Sequence, residues 1–397
     1  MSGADLLRDP PNFSVVLGGP LYQLLRRTHL SDDTLHMLRR RVIVIALFAW
    51  LPLLVLSALE GHLLDKRIAV PFLFDLETHI RFLVVVPLLL VAELVVHQRL
   101  LPVARTFLDR RLIPESAMPR FDAAVSSAFH LRNSVAAEVL LLAAVYGVGV
   151  LLVWRQYTAL DADTWYGTSA AAGAHLSVAG LWYGCVSLPI FQFLVLRWYF
   201  RILIWTRFLW QVSRIKLALV PTHPDQLGGL GFLSLTVYAF AVLLVAHGAM
   251  LAAQIADRVL LLRAALPEFK FEIAAMLLFL LCLVFGPLFA FTPQLARARR
   301  AGLLQYGKLA EDYVRQFDAK WVHGGAAHEE PLLGSSDIQS LADLANSFGV
   351  IRSMRLAPVS RITLLQLSAA VLVPIAPLLL TMMPLEALLR KLVGLVF

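Results

Sequence analysis

Charge is scarce in this chain of 397 residues: 16% of it is Asp, Glu, Lys or Arg, where soluble domains carry about 25%. Hydrophobic residues make up 59%, and the mean hydropathy is +0.73. A soluble fold of this composition would expose apolar patches that proteins in solution avoid. Disorder and collagen are excluded by the same numbers. Cysteine is nearly absent, and Cys185 and Cys282 both fall within apolar runs, which excludes a disulfide framework. No apolar run alternates with a period of two, so a β-barrel is disfavoured. There is no His-Glu-x-x-His zinc site, no Gly-x-Ser-x-Gly elbow and no phosphate-binding Gly-Lys-Ser/Thr.

What is present is a series of apolar runs about as long as the roughly 20 helical residues that cross a bilayer. Five lack formal charge: Val42–Leu59, Leu176–Leu196, Phe232–Ile255, Ile273–Phe291 and Ile362–Met383. Phe82–Val96 carries Glu93, and Val135–Trp154 carries Glu138. The expected fold is all-α, a polytopic transmembrane bundle of about seven spans, because lipid offers backbone amides no partner outside a helix. Residues 1–41 hold six Arg and four Asp ahead of the first run, too long and too acidic for the n-region of a signal peptide. Val42–Leu59 is therefore read as an uncleaved first span.

The net charge is +8, with 29 Arg and 6 Lys. If the N-terminus is inside and all seven runs cross, 26 of these 35 cations lie on the inner side. The positive-inside rule then predicts N-in and C-out, and it accounts for the basic balance without a nucleic-acid partner. The chain divides into a cytoplasmic segment 1–41, a transmembrane region 42–292 with six spans and a basic loop at 97–134, cytoplasmic helices in 293–361, and a last span with an amphipathic tail in 362–397. Pro374 and Pro377 predict a kink or a re-entrant turn in the last span. Within the cytoplasmic part, Leu303, Tyr306, Ala310, Tyr313, Phe317 and Trp321 form one helical stripe. A polar loop from His323 to Pro331 follows, and Ser336-Asp337-Ile338-Gln339 reads as a capping box. The second helix has a stripe of Ile338, Leu341, Ala345 and Phe348.

Two groups of residues are candidates for function. The first is the loop before the fifth span, with His223, Asp225, Gly228, Gly229 and Gly231. His223 and Asp225 have the chemistry of an acid/base pair, and the glycines allow tight turns or close backbone approach. A turn with Asp225 as a local cap is the structural alternative. The stretch from His223 to Leu233, together with Leu332–Phe348, resembles segments of a group of bacterial polytopic inner-membrane proteins. The resemblance implies a bacterial inner-membrane setting and adds no chemistry.

The second group is polar and lies within spans: Glu93, Glu138, Gln192, Arg197 and His247, with Arg201 one turn beyond Arg197. Intramembrane ionisable residues mark functional sites by default. A carboxylate–guanidinium cluster near the inner headgroups is the expectation for Glu93, Glu138, Arg197 and Arg201, with simple interfacial pairing as its structural alternative. His247 is either a proton or ligand site or an interhelical hydrogen bond. No second span carries a well-centred histidine, which argues against haem, and no other cofactor or metal is implied. Gly180 and Gly184 form a small-residue face suited to close packing within the chain or in a homo-oligomer.

Three functions remain open. The first is a channel or secondary permease for a small solute or ion. The second is a non-catalytic scaffold or signalling partner acting through its cytoplasmic helices. The third is a membrane-embedded enzyme using His223 and Asp225. The bilayer is the one partner implied by composition.

Overall fold

The computed structural model describes residues 13–20, 22–23, 37–65, 67–153, 164–167, 175–261, 264–324 and 335–381. Trp154, the polar loop from 325 to 331 and the end of the last apolar run at Met382 and Met383 lie outside the described residues, as does the tail 384–397. Among the described residues there is no strand, only isolated bridges such as Val70 to Thr164. The chain is an all-α bundle.

Among the described residues, five helices are long and apolar enough to cross a membrane: α1 (Leu38–Leu59), α2 (Leu76–Asp109), α5 (Val178–Ser213), α6 (Leu233–Leu260) and α7 (Leu266–Val322). A sixth candidate is bent: α3 (Glu115–Arg132) meets α4 (Val135–Gly149) at 47°. The described part of the seventh apolar run holds no helix as long as a span. It forms α9 (Arg361–Leu372) and then a 3-10 turn Ala376–Thr381. Pro374 and Pro377 cannot donate to the preceding turn, so α9 stops after 12 residues, or about 18 Å. Helix α7 has 57 residues and, at 1.5 Å per residue, extends to roughly 85 Å, well past a bilayer core.

Local sequence accounts for the ends and breaks. Asp75, Ser134, Ser177 and Ser360 each cap a helix start by accepting a backbone N–H. Pro87 and Pro189 each follow one wide turn, Arg81–Val85 and Tyr183–Ser187. Proline deletes the bond to the carbonyl four residues back and crowds it. Cys185, four residues before Pro189, has its carbonyl served instead by the Tyr146 hydroxyl at 3.3 Å. Beside the internal Pro52, Ser187 donates to the Ala49 carbonyl at 2.7 Å.

Helix α6 is the centre of the bundle, packed on α2 and α9, with 67% of its apolar window buried; α1 buries only 22% of its own. The exposed apolar side chains of α1, Ile43, Leu47, Leu51 and Val55 among them, form a surface suited to lipid. Gly248 of α6 makes the α6–α9 contact possible, since a Cβ there would lie 2.2 Å from the Val371 carbonyl oxygen. Gly180 likewise meets Tyr166 of its own chain, where a Cβ would stand 2.0 Å from the backbone oxygen.

Beyond the bundle, α7 pairs with α8 (Ser336–Arg352). The stripe from Leu303 to Trp321 is the half-buried face of α7. On α8 the face is rotated from the expected one: Leu341, Leu344, Phe348 and Ile351 turn inward, while Ile338 and Ala345 are exposed. The cap is Ser335 rather than Ser336, and the Asp337 carboxylate instead ties the helices together. It accepts from Lys320 Nζ at 2.8 Å and Trp321 Nε1 at 3.0 Å. These two bonds hold the Asp337 pKa below its ordinary value.

Candidate functional site

Glu93, Glu138, Arg197 and Arg201 come together, and the structure adds Arg41. Each is less than a tenth exposed. Glu93 on α2 accepts from Arg201 Nη1 on α5 at 2.7 Å and from Arg41 Nη2 on α1. Arg197, one turn before Arg201, pairs with Glu138 of α4 at 3.3 Å. Four helices thus each contribute a charge at one level. That level is where α1 and α4 begin and where α2 and α5 are just past their midpoints. Among the described residues, three guanidiniums face two carboxylates, and Arg41 Nε has no partner. Arg41 directly precedes the first apolar run, so it reads as an interfacial charge. It is buried because α1 begins three residues earlier, at Leu38, and turns Arg41 toward α2.

Residues 13–20 cover this cluster. Phe13 is fully buried, with its ring 4.3 Å from that of Phe208. Ser14 accepts from Arg132 through its carbonyl at 2.7 Å, and its hydroxyl lies 2.9 Å from His97 Nδ1. Gly19 donates to Asn133 Oδ1 at 3.1 Å and has φ +92°. A Cβ on Gly19 would meet Glu138 Oε1 at 2.9 Å, so only glycine lets the backbone lie this close to the ion pair. Between this segment and Glu138, Arg197 and Arg201 is a cavity of about 10 Å³, room for about one water.

The other intramembrane candidates lie apart. His247 has both ring nitrogens engaged: Nδ1 with the Leu243 carbonyl at 2.8 Å and Nε2 with the Tyr199 hydroxyl at 2.9 Å. It is an interhelical hydrogen bond between α6 and α5. Gln192 lies against Gly149, where a Cβ would be 2.1 Å from its Oε1.

The loop candidates form a network of their own. The Asp225 carboxylate accepts the backbone N–H of Leu227 at 2.8 Å, Gly229 at 3.2 Å and Gly231 at 2.8 Å. His223 Nδ1 stands 2.9 Å from Asp225 Oδ1. Burial alone would raise the Asp225 pKa, but the three amides and His223 outweigh it and hold it below the ordinary value. Gln226, Gly228 and Gly229 have positive φ, the curl that aims these amides inward. Arg110 clamps the loop through the Gly229 carbonyl at 2.9 Å, and Arg355 donates its backbone N–H to Gln226 at 2.8 Å. With its lone pairs committed to backbone, Asp225 organises a turn.

At the opposite end lies a cluster that sequence reasoning missed. Asp75 accepts from Trp165 Nε1 at 2.8 Å and from Thr78. Asp257 of α6 accepts the first amides of α2, Leu76 at 3.1 Å and Glu77 at 3.0 Å. Arg81 bridges Glu77 and Tyr183. The Asp75-x-x-Thr78 spacing signals the helix start, but the partners are too distant in sequence to be foreseen. Among the described residues, no three His, Cys, Asp or Glu side chains gather as a metal site. Comparison with protein-family models, with curated proteins and with solved structures finds no significant match to this chain.

Proposed function

We propose that this chain is a bacterial inner-membrane channel or secondary permease for a small solute or ion, with its basic end cytoplasmic. One observation carries the reading: five charged side chains on four helices are buried at one level of a bundle suited to lipid. Intramembrane charges of this kind are costly and mark solute or ion pathways. Among the described residues of the cluster, guanidiniums outnumber carboxylates, which favours a small anion. Residues 13–20 close the cluster from one side, so passage requires their displacement. The test is flux through the purified protein in proteoliposomes, with small anions and cations offered in parallel. Anion flux above that of empty vesicles supports the reading, and no flux of either sign contradicts it.

A second reading, a membrane scaffold acting through α7 and α8, is favoured by a different observation. Leu304, Leu309 and Val322 remain exposed on the part of α7 beyond the bundle. A folded protein partner that co-purifies stoichiometrically and is lost when these three residues are made polar would favour it.

A further inference from the structure

A cavity of about 350 Å³ lies where α5 ends and α7 leaves the bundle. It is far from the buried ion pairs in character: it is open, and its charge has one sign. Arg214, Lys216 and Arg297 line it, and no carboxylate does. None of the three has an acidic partner among the described residues; Arg297 reaches only the Pro293 carbonyl of its own helix, at 3.1 Å. The wall is apolar, with Leu219, Ala298 and Ala301.

The cavity is built rather than incidental. Gln294 of α7 is buried at its base and fastens the strand of chain that follows α5. Its Nε2 donates to the carbonyls of Ser213 and, at 2.6 Å, Ile215; its Oε1 accepts the Leu217 amide at 3.2 Å. The backbone between Arg214 and Lys216 is thereby fixed, and the two cations are presented from a rigid edge. Trp210 stands one turn before Arg214, half exposed, with the guanidinium 5.0 Å from its ring centre. A half-exposed tryptophan beside an arginine at a helix end is the arrangement of a membrane interface.

We propose that this cavity binds the headgroup of an anionic phospholipid. Arg214, Lys216 and Arg297 take the phosphate charge, and the glycerol and first methylenes lie on Leu219, Ala298 and Ala301. Basic pockets between transmembrane helices hold anionic lipids in this way. A free phosphate would use the cations but leave the apolar wall without a role, which is why the lipid is the assigned occupant. The assignment does not depend on the solute pathway proposed above.

The test is native mass spectrometry of the delipidated full chain, titrated with phosphatidylglycerol or phosphatidylcholine. Each cation near an anionic headgroup is worth about a factor of five, so the wild type should prefer one phosphatidylglycerol by about a hundredfold. In the R214Q/K216Q/R297Q variant the preference should vanish, while R258Q at the opposite end retains it. A melting curve in detergent matching wild type shows that the triple variant is folded; if it is not, the single variants R214Q and R297Q are read instead, each expected to lose about fivefold. Equal binding of the two lipids by wild type, or an undiminished preference in the folded variants, overturns the proposal. So does displacement of the bound lipid by inorganic phosphate at concentrations matching the lipid, which would make the site one for free phosphate.

Discussion

Glu93→Gln should destabilise the protein far more than Arg41→Gln, although the two side chains share one ion pair. Glu93 sits 4% exposed between Arg41 and Arg201. Unit charges about 4 Å apart attract by roughly 4 kcal/mol at an effective dielectric constant of about 20. Removing the carboxylate charge deletes two such attractions and leaves three described guanidiniums facing Glu138 alone. Arg41→Gln deletes one and leaves two against two. Breaking a buried pair from one side costs about 3–5 kcal/mol, and Glu93→Gln belongs at the upper end, with Arg41→Gln about 2 kcal/mol below it. The double variant returns the described cluster to one surplus positive charge. It should therefore be more stable than Glu93→Gln alone, with a coupling of about 1–3 kcal/mol. Thermal and denaturant unfolding in one detergent at neutral pH measures all three. Equal losses in the single variants, or strict additivity in the double, would refute Glu93 as the shared counter-charge.

Asp225→Ala should cost about 2–3 kcal/mol, because three half-buried amides lose their acceptor, whereas His223→Ala should stay within about 1 kcal/mol. The folded-state pKa of Asp225 is lowered, so its contribution is complete above the ordinary carboxylate value of 3.8 and is lost as pH falls through the lower folded value; protease nicking of the loop as a function of pH reads this out. Gly248→Val should separate α9 from α6 and lower the melting temperature sharply, while Gly147→Ala, with nothing within 4 Å, should leave it unchanged. Tyr199→Phe should cost about 0.6 kcal/mol and His247→Leu more, since it also gives up the Nδ1 bond with the Leu243 carbonyl; the double variant should cost no more than His247→Leu alone, and an additive loss would show that the side chains act separately.

Much of the bundle is legible in the sequence because a bilayer reduces the choice of structure to helices, and apolar runs mark where they lie. The positions of Pro87, Pro189 and Pro374 also foretell the breaks, since a missing amide acts locally. The stripe on α7 is readable for the same reason, as its spacing alone decides which face packs. Faces that depend on a partner are less so: α8 turns by part of a helical step because Asp337 is drawn to Lys320 and Trp321. The ion cluster is half legible. Glu93, Glu138, Arg197 and Arg201 announce themselves as charges within or beside apolar runs. Arg41 does not, because its burial depends on the pitch of α1 against α2, and neither does the covering role of residues 13–20, which rests on long-range contacts of Phe13 and Ser14. Asp225 looked as much like an acid/base group as a cap; only the geometry of three amides separates the two.

The most direct test of the account is the ratio of anion to cation flux in proteoliposomes for wild type, Arg197→Gln and Arg258→Gln. Arg197 belongs to the buried cluster, whereas Arg258 is half exposed in a pair with Glu272 at the far end. With stability matched in detergent, Arg197→Gln should cut anion flux by about tenfold or more, the effect of about 1.4 kcal/mol at the site, and Arg258→Gln should leave it unchanged. A wild type that passes no more anion than empty vesicles, or an equal loss in both variants, would contradict the assignment of the cluster as the solute site.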